Sequence, residues 1–204
     1  MRVAIIDDEI TSKMILNNKV EKYYISDKYI LKELTRISDN VFDGEDTHAD
    51  ICSKIIRKYS PDCDIVNLII KNPNEIGDYY KLEMALKYAL LLNIDIINMS
   101  VGITKKLFAI KMFPLVERLK HNNIIVIAAY SNLGKVTYPA SFKSVIGCKA
   151  AIDAVDPYFK NKVCYASGSH IIRTNAGKLF ITPNANSYAA AYMSSLVSNN
   201  MFKL

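Results

Sequence analysis

The sequence predicts a single α/β domain over residues 1–204, with a mostly parallel β-sheet between helices on both faces in a three-layer arrangement. Half of the 204 residues are hydrophobic, which suffices for the core of one domain. Short apolar runs alternate with longer segments whose apolar residues recur at helical spacing. Such alternation is typical of βαβ units, so it favours a parallel sheet covered on both sides.

The individual elements follow from these patterns. Residues 2–6 form a buried apolar strand that ends at two acidic residues. Residues 12–37 are ambiguous and accommodate a helix and a strand. Helices are predicted at 47–59, 79–93, 106–121 and 187–201, where apolar side chains share one helical face. Strands are predicted at 64–71, 94–102, 124–132 and 144–151, with shorter ones near 162–166, 169–173 and 177–182.

Charge and cysteine usage narrow the function class. The formal net charge is +6, but the basic residues are scattered and form no stripe with interleaved aromatic residues. We therefore predict no nucleic-acid partner. The four cysteines include no CxxC pair, which predicts buried free thiols in a reducing compartment and no metal site. The sequence shows no signal peptide, propeptide or membrane-spanning run, so we expect a cytoplasmic protein without a membrane partner, and its oligomeric state stays open.

Polar residues stand where several predicted elements begin or end. Asp7 ends the first strand, and Ser100 and Asn132 lie at the ends of two later strands. His48 opens a helix, and Ser187 stands between a polar turn-forming run and the last helix. Because ligands collect at the carboxyl ends of parallel strands, we expect these side chains to share one edge of the sheet.

These residue types are the parts that acyl transfer needs. A serine hydroxyl is a weak nucleophile and requires an adjacent imidazole base. The imidazole in turn requires a carboxylate that fixes its tautomer, and the oxyanion requires hydrogen-bond donors aimed at it. Taken singly, each residue has a more ordinary interpretation: Ser187 as a helix cap, Asn132 as a turn residue and Asp7 as a solvated acid.

Five segments add a more specific signal, and they run in order along almost the whole chain. They are VAIIDDEI, THADICSKII, DIINMSVG, NIIVIAAYSN with the following YPASFKSVIGCKA, and NANSYAAAY. These segments resemble those of the subtilisin-like serine proteases (subtilases). The resemblance implies a subtilisin-like α/β fold and a serine endopeptidase that acts on a peptide or protein substrate. It implies neither a metal nor an organic cofactor.

The resemblance also implies a role for each candidate residue. Asp7, His48 and Ser187 would form the catalytic triad, and Asn132 would supply the side-chain amide of the oxyanion hole. The segment Ser100, Val101 and Gly102 would form one wall of the substrate cleft. The chain is short for this family, which suggests a dedicated processing or maturation protease for one peptide or partner.

Two departures from the family pattern generate further expectations. Ala49-Asp50 follow His48 where the family has Gly-Thr, and we expect the Asp50 charge to raise the pKa of the imidazole. Ala185-Asn186 replace Gly-Thr before the nucleophile, which predicts a strained turn made without glycine. We also expect the Asn186 side chain to donate toward the oxyanion.

Three alternatives stay open from the sequence. In another register, Glu45 would occupy the histidine position and His48 would be a second, non-catalytic histidine. A catalytically impaired pseudoprotease would bind peptides in the same cleft without cutting them. A flavodoxin-like or receiver-type domain would use the acidic pair at 7–8 as a phosphoacceptor. We further predict that His170 and Asp153 lie on the surface.

Overall fold

A computed structural model describes residues 1–12, 15, 20–34, 45–70, 79–152, 154 and 156–202. Asp153, Lys71 at the end of one predicted strand, and parts of the ambiguous segment 12–37 lie outside the described residues. The helices are α1 (His48–Tyr59), α2 (Tyr79–Ala89), α3 (Lys106–His121) and α4 (Asn186–Ser198). The strands are β1 (Arg2–Asp7), β2 (Val20–Ile25), β3 (Leu31–Glu33), β4 (Asp64–Ile69), β5 (Ile96–Met99), β6 (Ile125–Ala129), β7 (Ile146–Ala150), β8 (Tyr158–Lys160), β9 (Val163–Ala166), β10 (Ile171–Arg173) and β11 (Leu179–Ile181).

Nine of the described strands form one sheet in the order β3-β2-β4-β1-β5-β6-β7-β9-β8. The strands from β2 to β9 in that order pair in parallel, and antiparallel β3 and β8 close the two edges. β10 and β11 form a separate antiparallel hairpin. The parallel arrangement brings the carboxyl ends of β1, β5 and β6 to the same edge of the sheet, side by side.

The side chains of β1 show why the sheet is covered on both faces. Val3 and Ile5 belong to a core with α1 and α4, whereas Ala4 and Ile6 belong to a core with α2 and α3. All four are fully buried, and alternate residues of a strand point to opposite faces. The predicted three-layer architecture is therefore confirmed.

Several element boundaries differ from the predicted ones. The strand predicted at 94–102 ends at Met99, and the one predicted at 124–132 ends at Ala129, so both leave irregular backbone at the edge where the site lies. β8 was not predicted, because its three residues are all exposed and give no apolar alternation. Among the described residues, no helix is both long enough and apolar enough to cross a bilayer.

The prediction that His170 lies on the surface is wrong. Its side chain is buried against the rings of Tyr59 and Tyr192, because the segment just before β10 packs against the last residue of α1 and the middle of α4. The Ser167 carbonyl accepts a hydrogen bond from its Nε2, and the Tyr59 hydroxyl lies 3.3 Å from its Nδ1. His170 thus joins both helices that carry candidate residues.

Candidate active site

The structure brings Asp7, His48 and Ser187 into one hydrogen-bonded row. Asp7 ends β1, and its Oδ2 lies 2.7 Å from Nδ1 of His48. On the other side of the ring, Nε2 lies 3.1 Å from Oγ of Ser187. Asp7 is fully buried, whereas the His48 side chain is 32% exposed and faces a cavity of about 140 Å³. His48 and Ser187, which are 139 positions apart in the chain, therefore meet.

His48 owes its position to the first turn of α1. Thr47 is the N-cap: its Oγ1 accepts from the Asp50 N–H, and the Thr47 N–H donates to the Asp50 carboxylate, which is a capping box. The Ala49 N–H donates to Asp8 Oδ1 at 2.7 Å, which ties the same turn to the end of β1. His48, as the first helical residue, is thereby held beside Asp7. Glu45, the alternative for this position, is exposed.

Asp50 does not face the imidazole as we had expected. It is fully buried, and it accepts from the Thr11 N–H, the Ser12 N–H and the Thr11 hydroxyl. The Asn175 side-chain amide also donates to it at 3.3 Å. These donors stabilise its charge, and the groups that raise the pKa of His48 most are Cys52 and Asp7. Asp50 therefore joins three chain segments around the start of α1.

Ser187 is not the helix cap that its sequence position allows. α4 begins at Asn186, its N-cap is Ala185, and Ser187 lies inside the first turn with its hydroxyl toward His48. The turn before it needs no glycine, because Ala185 is extended at φ −133° and ψ 147°. The expected strain at this turn is therefore wrong. The close approach is instead made by Gly168, where an added Cβ would lie 2.7 Å from the Ala185 carbonyl oxygen.

Asn132 and Asn186 have different tasks at this edge. Asn132 lines the cavity, and its Oδ1 accepts from the Asn186 backbone N–H at 3.1 Å. The Nδ2 amide group of Asn132 is the part of this side chain that can donate to a ligand. The Asn186 side chain instead accepts from the Ala150 N–H and donates to the Tyr130 carbonyl. The expectation that Asn186 donates toward an oxyanion is therefore wrong, since it fastens α4 to the ends of β6 and β7.

The segment Ser100, Val101 and Gly102 leaves β5 beside the cavity. Ser100 lines the cavity, and Val101 packs against the core beneath α2 and α3. An added Cβ on Gly102 would lie 2.4 Å from Cγ2 of Thr137, so the neighbouring segment approaches its backbone closely. The next residue, Ile103, exchanges two backbone hydrogen bonds with Tyr138 across this contact.

Two further side chains contact His48. The ring of Tyr188 stacks on the imidazole, with centroids 5.5 Å apart and planes at 24°. The Sγ of Cys52 lies 3.9 Å from His48 Nδ1 and 3.6 Å from Ser100 Oγ. The i, i+4 spacing of His48 and Cys52 on one helix was the signal that could have identified this neighbour.

The groups around His48 stabilise the imidazolium that forms when its ring takes a proton. The pKa of His48 is raised first by the charge of Cys52 when its thiol is ionised, and then by the hydrogen bond to Asp7 and the charge of Asp7. Burial opposes this shift. A neutral Cys52 thiol carries no charge, so Asp7 is then the group that stabilises a proton on the ring. Burial and the neighbouring Asp7 charge raise the pKa of Asp8 to about 6.

Comparison with known proteins places the fold among protease domains. No protein-family profile matches the sequence, and no characterised protein matches it in sequence. The self-cleaved protease domain of PatA has a TM-score of 0.72 at 17% identity, covering 98% of this chain and 78% of that chain. The prenylagaramide maturation protease PagA has a TM-score of 0.72 at 18% identity, with 97% and 74% covered. The epidermin leader peptide processing serine protease (EpiP) of Staphylococcus aureus has a TM-score of 0.73 at 14% identity, with 97% and 64% covered. The predicted α/β fold class is thus confirmed as one that peptide-processing proteases also have.

Proposed function

We propose that the protein is a subtilisin-like serine endopeptidase in which Ser187 is the nucleophile, His48 the general base and Asp7 the group that orients the base. The observation that carries this proposal is the unbroken row from Asp7 Oδ2 to His48 Nδ1 and from His48 Nε2 to Ser187 Oγ, at 2.7 Å and 3.1 Å. Both separations are within the range required of a nucleophile, its base and the group behind the base.

The mechanism follows from the proton positions in this row. With the Nδ1 proton donated to Asp7, the lone pair of His48 Nε2 faces the Ser187 hydroxyl. Ser187 Oγ attacks the peptide carbonyl carbon while its proton moves to Nε2, and the imidazolium is stabilised by Asp7. His48 then gives that proton to the leaving amine, and the C–N bond breaks. Water, deprotonated by the same nitrogen, hydrolyses the acyl-enzyme and restores Ser187.

Two donors are available for the oxyanion. The Asn186 N–H donates to Oδ1 of Asn132. The Nδ2 group of Asn132 is therefore the donor proposed to face the oxyanion in the cavity. The Ser187 N–H lies in the first turn of α4, where backbone donors have no intrahelical partner. Each such donor lowers the barrier by roughly 3–4 kcal/mol in serine proteases. The positive end of the α4 dipole acts in the same direction.

The substrate class we propose is a peptide bound as an added strand beside Ser100–Gly102, with main-chain hydrogen bonds providing affinity. The irregular backbone after Met99 is compatible with such pairing, and the cavity of about 140 Å³ accommodates one small group at the reacting carbon. A dedicated processing role is proposed by analogy with PagA and EpiP, whose names describe maturation and leader peptide processing. No metal or organic cofactor takes part in this chemistry.

The proposal is tested with a mixed peptide library, purified protein and mass spectrometry of the products. We expect cleavage at a narrow set of sequences by the wild type and none by Ser187→Ala, which keeps the fold because only one oxygen is removed. Unselective digestion of casein would contradict the dedicated role. If peptides bind to both the wild type and Ser187→Ala and neither protein cleaves them, the protein is the peptide-binding pseudoprotease and not an endopeptidase.

A further inference from the structure

Three different ligand atoms meet behind the imidazole ring. The Asp7 carboxylate, the His48 ring nitrogen and the Cys52 sulfur all lie within 4.8 Å of one another. Asp7 and Cys52 are fully buried, and His48 lies between them on the first turn of α1. The absence of a CxxC pair had predicted no metal site. That spacing rule cannot detect a set assembled from one strand end and two helical residues.

We propose that Asp7, His48 and Cys52 form a binding site for a thiophilic divalent cation of the zinc class. The bound cation prevents Ser187 from acting as a nucleophile. The inhibition of Ser187 rests on the proposed function, whereas the metal site itself does not. Carboxylate, imidazole and thiolate are all zinc ligands, and the thiolate disfavours magnesium and calcium. The three side chains leave a fourth position for water or for the hydroxyl of Ser100, which lies 3.6 Å from Cys52 Sγ.

The separations are close to those of a zinc site. Zinc bonds of about 2.0–2.3 Å in a tetrahedron place neighbouring ligand atoms roughly 3.3–3.6 Å apart. In the structure, Asp7 Oδ2 and His48 Nδ1 are 2.7 Å apart, and His48 Nδ1 and Cys52 Sγ are 3.9 Å apart. A rotation of the side chains that opens the first distance and shortens the second by about 0.5 Å satisfies the geometry. Asp7, His48 and Ser100 line the cavity, which gives the cation its entry path.

Binding at this position changes the protonation of the base. The cation takes the place of the proton on His48 Nδ1, and that proton moves to Nε2, so the neutral ring now carries its hydrogen toward Ser187. A protonated Nε2 cannot accept the hydroxyl proton, and Asp7 no longer accepts from Nδ1. The Cys52 thiol releases its proton to solvent as it becomes a thiolate, so one proton is released for each cation bound.

The test compares the wild type with Cys52→Ala and with Cys63→Ala, which removes another buried free thiol, just before β4 at the opposite edge of the sheet from Asp7. We expect Zn²⁺ to inhibit peptide cleavage by the wild type and by Cys63→Ala, and EDTA to reverse the inhibition. Measured against its own rate without metal, Cys52→Ala should need at least about tenfold more Zn²⁺ for half-inhibition than the wild type. Equal Zn²⁺ sensitivity of the wild type and Cys52→Ala would overturn the proposal.

A second readout does not depend on activity. Co²⁺ added to the purified protein should give the visible bands of tetrahedral cobalt and a near-ultraviolet thiolate-to-cobalt transition, with both lost in Cys52→Ala. Matching thermal unfolding curves establish that the variant is folded. A protein that cleaves nothing but shows these bands would contradict the proposed function and retain the metal site. Wild-type protein with no thiolate-to-cobalt band would contradict the site whatever its activity.

Discussion

Replacing Asp50 tests how the start of α1 is held. Its carboxylate accepts from five donors: the N–H groups of Thr11, Ser12 and Thr47, the Thr11 hydroxyl and the Asn175 amide. A hydrogen bond to a charged group contributes about 1.5–3 kcal/mol to stability, and a buried donor left without an acceptor costs about 1–3 kcal/mol. These contributions are not additive, and single substitutions rarely exceed about 4–5 kcal/mol. We therefore expect Asp50→Ala to lower the free energy of unfolding by about 4 kcal/mol.

Asp50→Asn separates charge from shape. It retains one acceptor oxygen, which serves the Thr11 and Ser12 N–H groups, but it turns an NH₂ toward the Thr47 N–H. We expect Asp50→Asn to lower the free energy of unfolding by roughly 2 kcal/mol, half of the loss expected for Asp50→Ala. Asp62→Ala is the matched control, because this acid is exposed in the turn after α1, and its effect should stay within about 0.5 kcal/mol.

Urea unfolding followed by circular dichroism measures these changes. With a slope of about 2 kcal/mol per molar, Asp50→Ala should lower the urea midpoint by about 2 M. The reasoning would be refuted if Asp50→Ala unfolded within about 0.5 M of the wild type, because the buried donors would then have found other partners.

Three further outcomes follow from the structure. Asn132→Ala should lower kcat by about 10²–10³ with little change in KM, measured by steady-state peptide cleavage, and an unchanged kcat would remove Asn132 from the oxyanion hole. Gly147→Ala should destabilise the protein by at least about 2 kcal/mol in urea, because the added Cβ would lie 2.2 Å from the Ala140 carbonyl oxygen; unaltered stability would contradict this packing. Burial lowers the pKa of His170, so the fold favours its neutral form, and stability present above about pH 6.5 should be lost as the pH falls below that value. His170→Gln should flatten this pH dependence in urea titrations between about pH 5 and 7, and an equally steep dependence would assign it to other groups.

The architecture could be predicted because it depends on apolar periodicity. The runs around β1, β4, β5 and β6 are apolar for the physical reason that both faces of a parallel strand are buried. The same patterns placed α1 and α3 to within a residue. β8 was missed, since an exposed edge strand of three residues carries no such pattern.

The site was predicted less completely, because a sequence does not give side-chain direction. The order of Asp7, His48, Asn132 and Ser187 was sufficient to nominate them through the family resemblance. The orientation of Asp50 was not predictable, because its partners Thr11 and Ser12 are brought to it by the chain beyond β1. The same holds for Asn186, whose side-chain partners Tyr130 and Ala150 lie at the ends of two other strands. Cys52 was overlooked, although its i, i+4 spacing from His48 is visible in the sequence.

The most direct measurement of the central claim is the rate at which a fluorophosphonate modifies the protein, followed by intact mass and peptide mapping. If His48 activates Ser187, the wild type should gain one adduct on Ser187, Ser187→Ala should gain none, and His48→Ala should react at least about 10²-fold more slowly. A wild type that stays unmodified, or an adduct that persists in Ser187→Ala, would contradict the account.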